Sequence, residues 1–163
     1  MFEYNFPEIE IRTGYDNLAY HYHVPLMELP KCFNTSIDTI PSPFTYLYAN
    51  DELVNRYEVA PTTKKRVGIV WSSNAVAFIT RFRQAPLEPL LQALSDYELV
   101  NLEYDVSPEE KEILDKYNVR SFDVDGFDET AALMTTLDCV VTVDTVYAHL
   151  AGALGIPTYV MLS

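Results

Sequence analysis

Positive charge is what this chain has least of: 11 lysines and arginines stand against 24 acids over 163 residues, a formal net charge of -13. Contact along a phosphate backbone needs a basic stripe, so nucleic acid is not expected as a partner. A small anionic ligand is left only where a local cation or helix dipole favours it. No apolar run approaches the roughly eighteen residues of a membrane-spanning helix. The opening MFEYNFPEIE carries acids where a secretory leader carries lysines and an apolar stretch. The expectation is a cytoplasmic protein with no transmembrane segment. Cysteine is scarce as well. Cys32 and Cys139 lie far apart with no CxxC spacing, so neither a disulfide framework nor a metal site is expected. Also absent are GxGxxG and GxxxxGK[ST], which argues against a dinucleotide dehydrogenase or a P-loop enzyme.

What the chain does have is apolar character enough to fold, 48% of a length that suits one domain with some extra. From Val67 onward, strand-like and helix-like patterns alternate with short connections. This predicts an α/β fold with a parallel sheet and right-handed crossovers. The expected strands are 67–71, 99–104, a weaker 119–122, 139–143 and 158–162, and the expected helices are 87–94, 108–117, 129–137 and 146–154. Ser107-Pro108-Glu109-Glu110 is a capping box with proline at the first helical position, and Asp128 is placed to cap the helix that follows it. Residues 1–60 differ. They hold tyrosines, prolines and short apolar pieces, only 52–57 reads as a helix, and APTTKK at 60–65 reads as a linker. The expected division is a partial N-terminal or inter-domain segment at 1–60 and an α/β domain at 66–163. That domain ends without a closing helix, so either the polypeptide is truncated or a partner covers the sheet.

The stretch 137–163, LDCVVTVDTVYAHLAGALGIPTYVMLS, reads as strand, polar turn, helix, glycine stop and second strand. In open parallel sheets, ligands bind beyond the carboxyl ends of the strands, where helix starts favour anions. Asp144 can accept from sugar hydroxyls there, and Thr145, with the amides behind it, can hold phosphate oxygens. His149 lies one turn further along roughly the same face, and reads equally well as a core histidine. After the first strand, Ser72, Ser73 and Asn74 offer hydroxyls and amides, against the plainer reading of a polar turn. Lys64, Lys65, Arg66, Arg81 and Arg83 cluster around that strand. Lys64 and Arg66 fall at its far end, so only Arg81 and Arg83 can reach a ligand, by bidentate pairing with a diphosphate or else as solvated surface arginines. Asp125 and Asp128 offer a hydroxyl-binding role beside the plainer one of helix capping. His21 and His23, flanking Tyr22, do not by themselves make a metal set.

On these residues the chain resembles a known family. VDTVYAHLAGALGIPTYVML is similar to the signature of the ADP-heptose:lipopolysaccharide heptosyltransferase family (glycosyltransferase family 9), and of the related domain at the end of many tetratricopeptide-repeat proteins. DVDGFDETAALMTTL, VGIVWSSN and VPLMELPKCFNTSIDTIPSPFTYL resemble further family segments, over about residues 20–163. The resemblance implies a Rossmann-like parallel sheet, the C-terminal donor-binding half of a GT-B architecture, with a short irregular N-terminal segment from the other half. It implies transfer of a sugar from a nucleotide-diphosphate sugar to a glycan or protein acceptor, with no further cofactor and no metal. It places Ser72, Ser73 and Asn74 by the diphosphate, a cation from Arg81 or Arg83, and Asp144, Thr145 and His149 around the donor. The departing nucleoside diphosphate is then stabilised by cations and helix-end amides.

The chain also departs from the family pattern. The usual Ala-Gly after the tryptophan is Ser72-Ser73, the basic stretch that follows is thinned to AVAFITRFRQ, and Asn101-Leu102-Glu103-Tyr104 lacks a closing Leu-Gln. The acceptor half, which normally brings the carboxylate base, is nearly all missing. No catalytic residue is therefore named, and the chain alone is expected to be inactive, completed by a missing-domain partner or a homo-oligomer. Two other readings stay open: a non-catalytic scaffold or interaction module that retains the fold, and a sugar-nucleotide epimerase-like enzyme.

Overall fold

The computed structural model describes residues 1–12, 14, 20–41, 44–58, 62–73 and 83–162. They fall into two units, residues 2–44 and, together with Met1, residues 45–163. Residues 2–44 lack the apolar period that a packed helix or strand needs, and the described ones form only short pieces. These are the single-turn helices α1 (Phe2–Asn5) and α2 (Leu29–Cys32) and the 3-10 turns Leu26–Glu28 and Ile37–Thr39. Met27, Phe33 and Ile37 stay exposed there.

The second unit begins earlier than the linker read at 60–65, because α3 (Asp51–Tyr57) is anchored to it. Asn50 caps α3 by accepting the Glu52 amide at 2.8 Å. Tyr57 is buried, meets Phe122 edge to face at 5.8 Å, and donates its hydroxyl to Glu129 at 3.0 Å. There follow β1 (Arg66–Val70), α4 (Leu87–Ala93), β2 (Glu98–Asn101), α5 (Pro108–Lys116), α6 (Gly126–Thr135), β3 (Cys139–Val143), α7 (Val146–Ala153) and β4 (Thr158–Met161). Among the described residues every pairing is parallel, and the strand order is β2-β1-β3-β4. The α/β parallel sheet expected from the alternating patterns, Rossmann-like as the resemblance implies, is the fold observed.

Three local expectations are corrected, the first being the second strand, expected over 99–104, which ends at Asn101. Residues 119–122 are not a strand but a single bridge, in which Arg120 gives its amide to Leu99 at 2.9 Å and accepts the Asn101 amide at 2.7 Å. The chain arrives there from a left-handed Asn118 (φ 53) with the Val119 amide already spent on Leu114, so one residue alone lies along β2. The helix expected from Glu129 starts at Gly126 instead. Gly126 takes φ 78, which a glycine tolerates, and Glu129 reaches back to accept the Asp125 amide at 2.9 Å. Asp128 therefore sits inside the first turn and is not the cap.

The two sheet faces bury different helices. Val67, Ile69 and Trp71, with Leu99, pack against Leu87 and Leu91 of α4 and Leu114 of α5. The opposite face carries Gly68, Val70, Val100 and Val140 towards α6 and α7. Gly68 allows close approach: a Cβ there would lie 2.6 Å from the terminal methyls of both Leu102 and Leu137, which would have to shift. At the amino end of the sheet, Asp138 accepts the Arg66 amide at 2.7 Å, and Glu98 pairs with Arg66 at 3.6 Å and Arg120 at 3.1 Å. Arg66 is thus committed to the end remote from the β1 exit. Among the described residues no helix is long and apolar enough to cross a membrane.

The fully buried Leu91 bridges α4 and β1, so Leu91→Ala should leave a cavity. We expect it to lower the unfolding free energy by about 3 kcal/mol. The check is a lower urea midpoint at unchanged slope.

Candidate functional site

From β1 the chain runs through α4 to β2 on one side, whereas from β3 it runs through α7 to β4 on the other. The strands that follow β1 and β3 lie on opposite sides of this pair, and a crevice opens beyond their carboxyl ends. Open α/β sheets bind ligands at this switch point. Here it is a cavity of about 280 Å³ whose walls come from the exits of β1, β2 and β3.

The β1 wall is held from beneath. Trp71 is buried, and its indole N–H donates to Glu110 Oε1 at 2.6 Å, while its carbonyl accepts the Ala85 amide at 2.8 Å and closes the loop base. Ser72 and Ser73 follow, both lining the cavity. The Ser72 amide and hydroxyl both donate to Glu103 Oε2, at 3.2 and 3.1 Å. The β2 wall is that carboxyl. Asn101 ends the strand by accepting the Glu103 amide at 2.8 Å on its own side chain, and this turn aims Glu103 across at Ser72.

The β3 wall contains Asp144, Thr145 and the start of α7. Thr145 stands at the N-cap in extended conformation, φ -142, yet its side chain makes no capping bond. Its hydroxyl lies 3.3 Å from that of Thr142 instead. The first amides of α7 are therefore free of a side-chain cap where they face the crevice, and they carry the positive end of the helix. Across the gap Arg83 pairs with Asp144 at 3.2 Å. With side chains 44% and 46% exposed, the pair contributes about 1 kcal/mol at most and can yield to a ligand.

Burial sets the protonation of this corner. It pushes the Glu103 carboxyl above its ordinary 4.5, against the lowering effect of the two Ser72 bonds. Burial, with Glu103 nearby, pushes the Tyr147 phenol up to about 12. Glu110 moves the other way: burial raises it, but the bonds from Trp71 and Ser107 outweigh that and leave it below 4.5.

The structure thus brings together Ser72, Ser73, Arg83, Asp144 and Thr145. Asn74 and Arg81 lie outside the described residues. His149 is exposed and does not line the cavity, whereas Tyr147 does. Thr145 stands at the N-cap in extended conformation, outside the helix that holds His149. Asp125 and Asp128 are likewise outside the cavity walls. Sequence reasoning missed Glu103 because it ran the second strand to Tyr104. The signal available was Asn101, a residue that breaks strands by bonding its own backbone. Among the described residues no group of His, Cys, Asp and Glu stands ready to hold a metal ion. No family model matches the chain, and neither a curated protein nor a solved structure does so.

Trp71 is the single tryptophan and so reports on Glu110. Because the carboxylate is the form that accepts the indole bond, that bond contributes stability above the ordinary glutamate value and is lost as pH falls through the depressed one. The native emission should shift with a midpoint below pH 4.5. In Glu110→Gln this titration should be absent.

Proposed function

We propose that the sheet unit is the donor-binding domain of a glycosyltransferase that uses a nucleotide-diphosphate sugar. What carries this reading is the conjunction at the switch point of uncapped α7 amides, the Ser72 and Ser73 hydroxyls and the Arg83 guanidinium. An anion there is met by a helix dipole, hydroxyl donors and a bidentate cation. Asp144, released from Arg83, is free to accept from sugar hydroxyls. The resemblance of the Asp144 to Pro157 stretch to the heptosyltransferase signature supports the same reading. The acceptor, a glycan or a protein, is held by a further domain or subunit, which also supplies the catalytic base. The free thiols of Cys32 and Cys139 suit a reducing compartment, and the proposed location is the cytoplasm.

One observation favours a second reading, a module that keeps the fold without chemistry. The groups best suited to a diphosphate are already engaged, Arg83 by Asp144 and Ser72 by Glu103. In that case Asp144→Ala would leave cellular function intact.

Calorimetry with ADP, UDP and their sugar conjugates decides between them. Binding is expected, and Arg83→Ala should weaken it by about tenfold to a hundredfold, as loss of a charged hydrogen bond requires. Absence of binding by folded protein, alone or with its acceptor domain, would defeat the donor reading.

A further inference from the structure

The acid at the back of the crevice carries more than a bracing role. Glu103 is 8% exposed, and a carboxyl buried to that degree is costly unless it is bonded. Its bonds go to one residue of the β1 loop. Oε2 takes both the amide and the hydroxyl of Ser72, while Oε1 accepts no bond among the described residues. Backbone N–H and hydroxyl donors after the first strand of such a sheet are what a phosphate would use, and here an internal carboxylate already uses them. We propose that Glu103 is a built-in competitor for the anion-binding groups of this crevice, so that a phosphate-bearing ligand engages Ser72 only when Glu103 has taken up a proton and given up its anionic hold on the serine. The inference rests on the donor reading only in so far as the ligand carries phosphate.

The surroundings of Glu103 give the coupling its sign. Ser72 faces it from the β1 loop, Asp105 from its own loop, Glu110 from α5 and the Tyr147 phenol from α7. Across the cavity stand Asp144 and Arg83, which largely cancel each other. The acids Asp105 and Glu110 disfavour the Glu103 anion, and a ligand diphosphate adds further negative charge. Arriving phosphate therefore raises the Glu103 pKa from a value that burial already holds above 4.5. A proton from solvent goes to the carboxyl, Ser72 is freed to donate to phosphate oxygen, and the neutral acid can itself donate to the ligand. Affinity should then fall as pH rises, by up to about one decade per unit for a linkage of one proton. The device would let the site tell a phosphate-bearing ligand from a neutral sugar, because only the former meets the carboxylate as a like charge.

The test titrates wild type and Glu103→Gln with inorganic diphosphate and with ADP by calorimetry at pH 6, 7 and 8, in buffers of differing ionisation enthalpy. Titration of the ligand itself is common to both proteins, so the difference between them isolates residue 103. Wild type should take up about one proton more than Glu103→Gln on binding. At pH 8 the variant should bind about tenfold tighter or better, with a flatter pH profile. If the variant does not fold, as judged by near-ultraviolet circular dichroism, proton uptake by wild type in excess of the known titration of the ligand takes its place. Equal pH profiles, weaker binding by the variant, no excess proton uptake, or no binding of diphosphate by either protein would overturn the proposal. Diphosphate binding with the expected proton difference but no preference for ADP would uphold it while removing the nucleotide donor reading. ADP binding with identical profiles would do the reverse.

Discussion

The pairing of β1 with β3, in register from Val67 opposite Cys139 to Val70 opposite Thr142, is the constraint from which the rest of the molecule follows. With the strand order β2-β1-β3-β4, these two neighbours send their chains to opposite sides of the pair. Among the described residues, a cavity stands at this gap. It is defined by the backbone, so the side chains that line it are selected by position alone: Ser72 and Ser73 after one strand, Asp144 and Thr145 after the other. Burial of β1 on both faces keeps those exits fixed, and the contact of Gly68 with Leu102 and Leu137 keeps the flanking layer close.

The acid excess of the chain reaches into this gap. Two of the donor groups that suit an anion have an acidic neighbour, Arg83 beside Asp144 and Ser72 beside Glu103. The two pairs are not equivalent. The first is half exposed and screened by water, so it opens at little cost. The second is buried, and its strength depends on the protonation of one carboxyl. On the proposal above, such a crevice responds to pH where a purely basic one does not, because phosphate reaches Ser72 only after Glu103 has taken up a proton.

How far the sequence foretells this depends on the range of the interactions involved. The β-branched run Cys139–Val143 and the capping box at Ser107 are local signals backed by burial and hydrogen bonding, and both elements appear where the pattern places them. The turn after β3 was legible for the same reason. The 119–122 segment has strand-like composition, but its pairing is stopped by the left-handed Asn118, a backbone choice that composition does not record. α3 has a readable cap, yet its membership of the sheet unit depends on Tyr57 meeting Phe122 and Glu129, contacts more than sixty residues away in sequence. Glu103 is hard to find in the sequence because its place depends on a bond to Ser72 at the neighbouring strand exit, and His149 stands exposed outside the cavity lining.

Backbone amide shifts followed by nuclear magnetic resonance during titration with ADP test the account most directly. It predicts that the largest changes fall on Ser72, Ser73, Val146 and Tyr147, at the exits of the two central strands. Changes confined to the opposite end of the sheet, around Lys65, Asp138 and Pro157, or no changes at all, would contradict it.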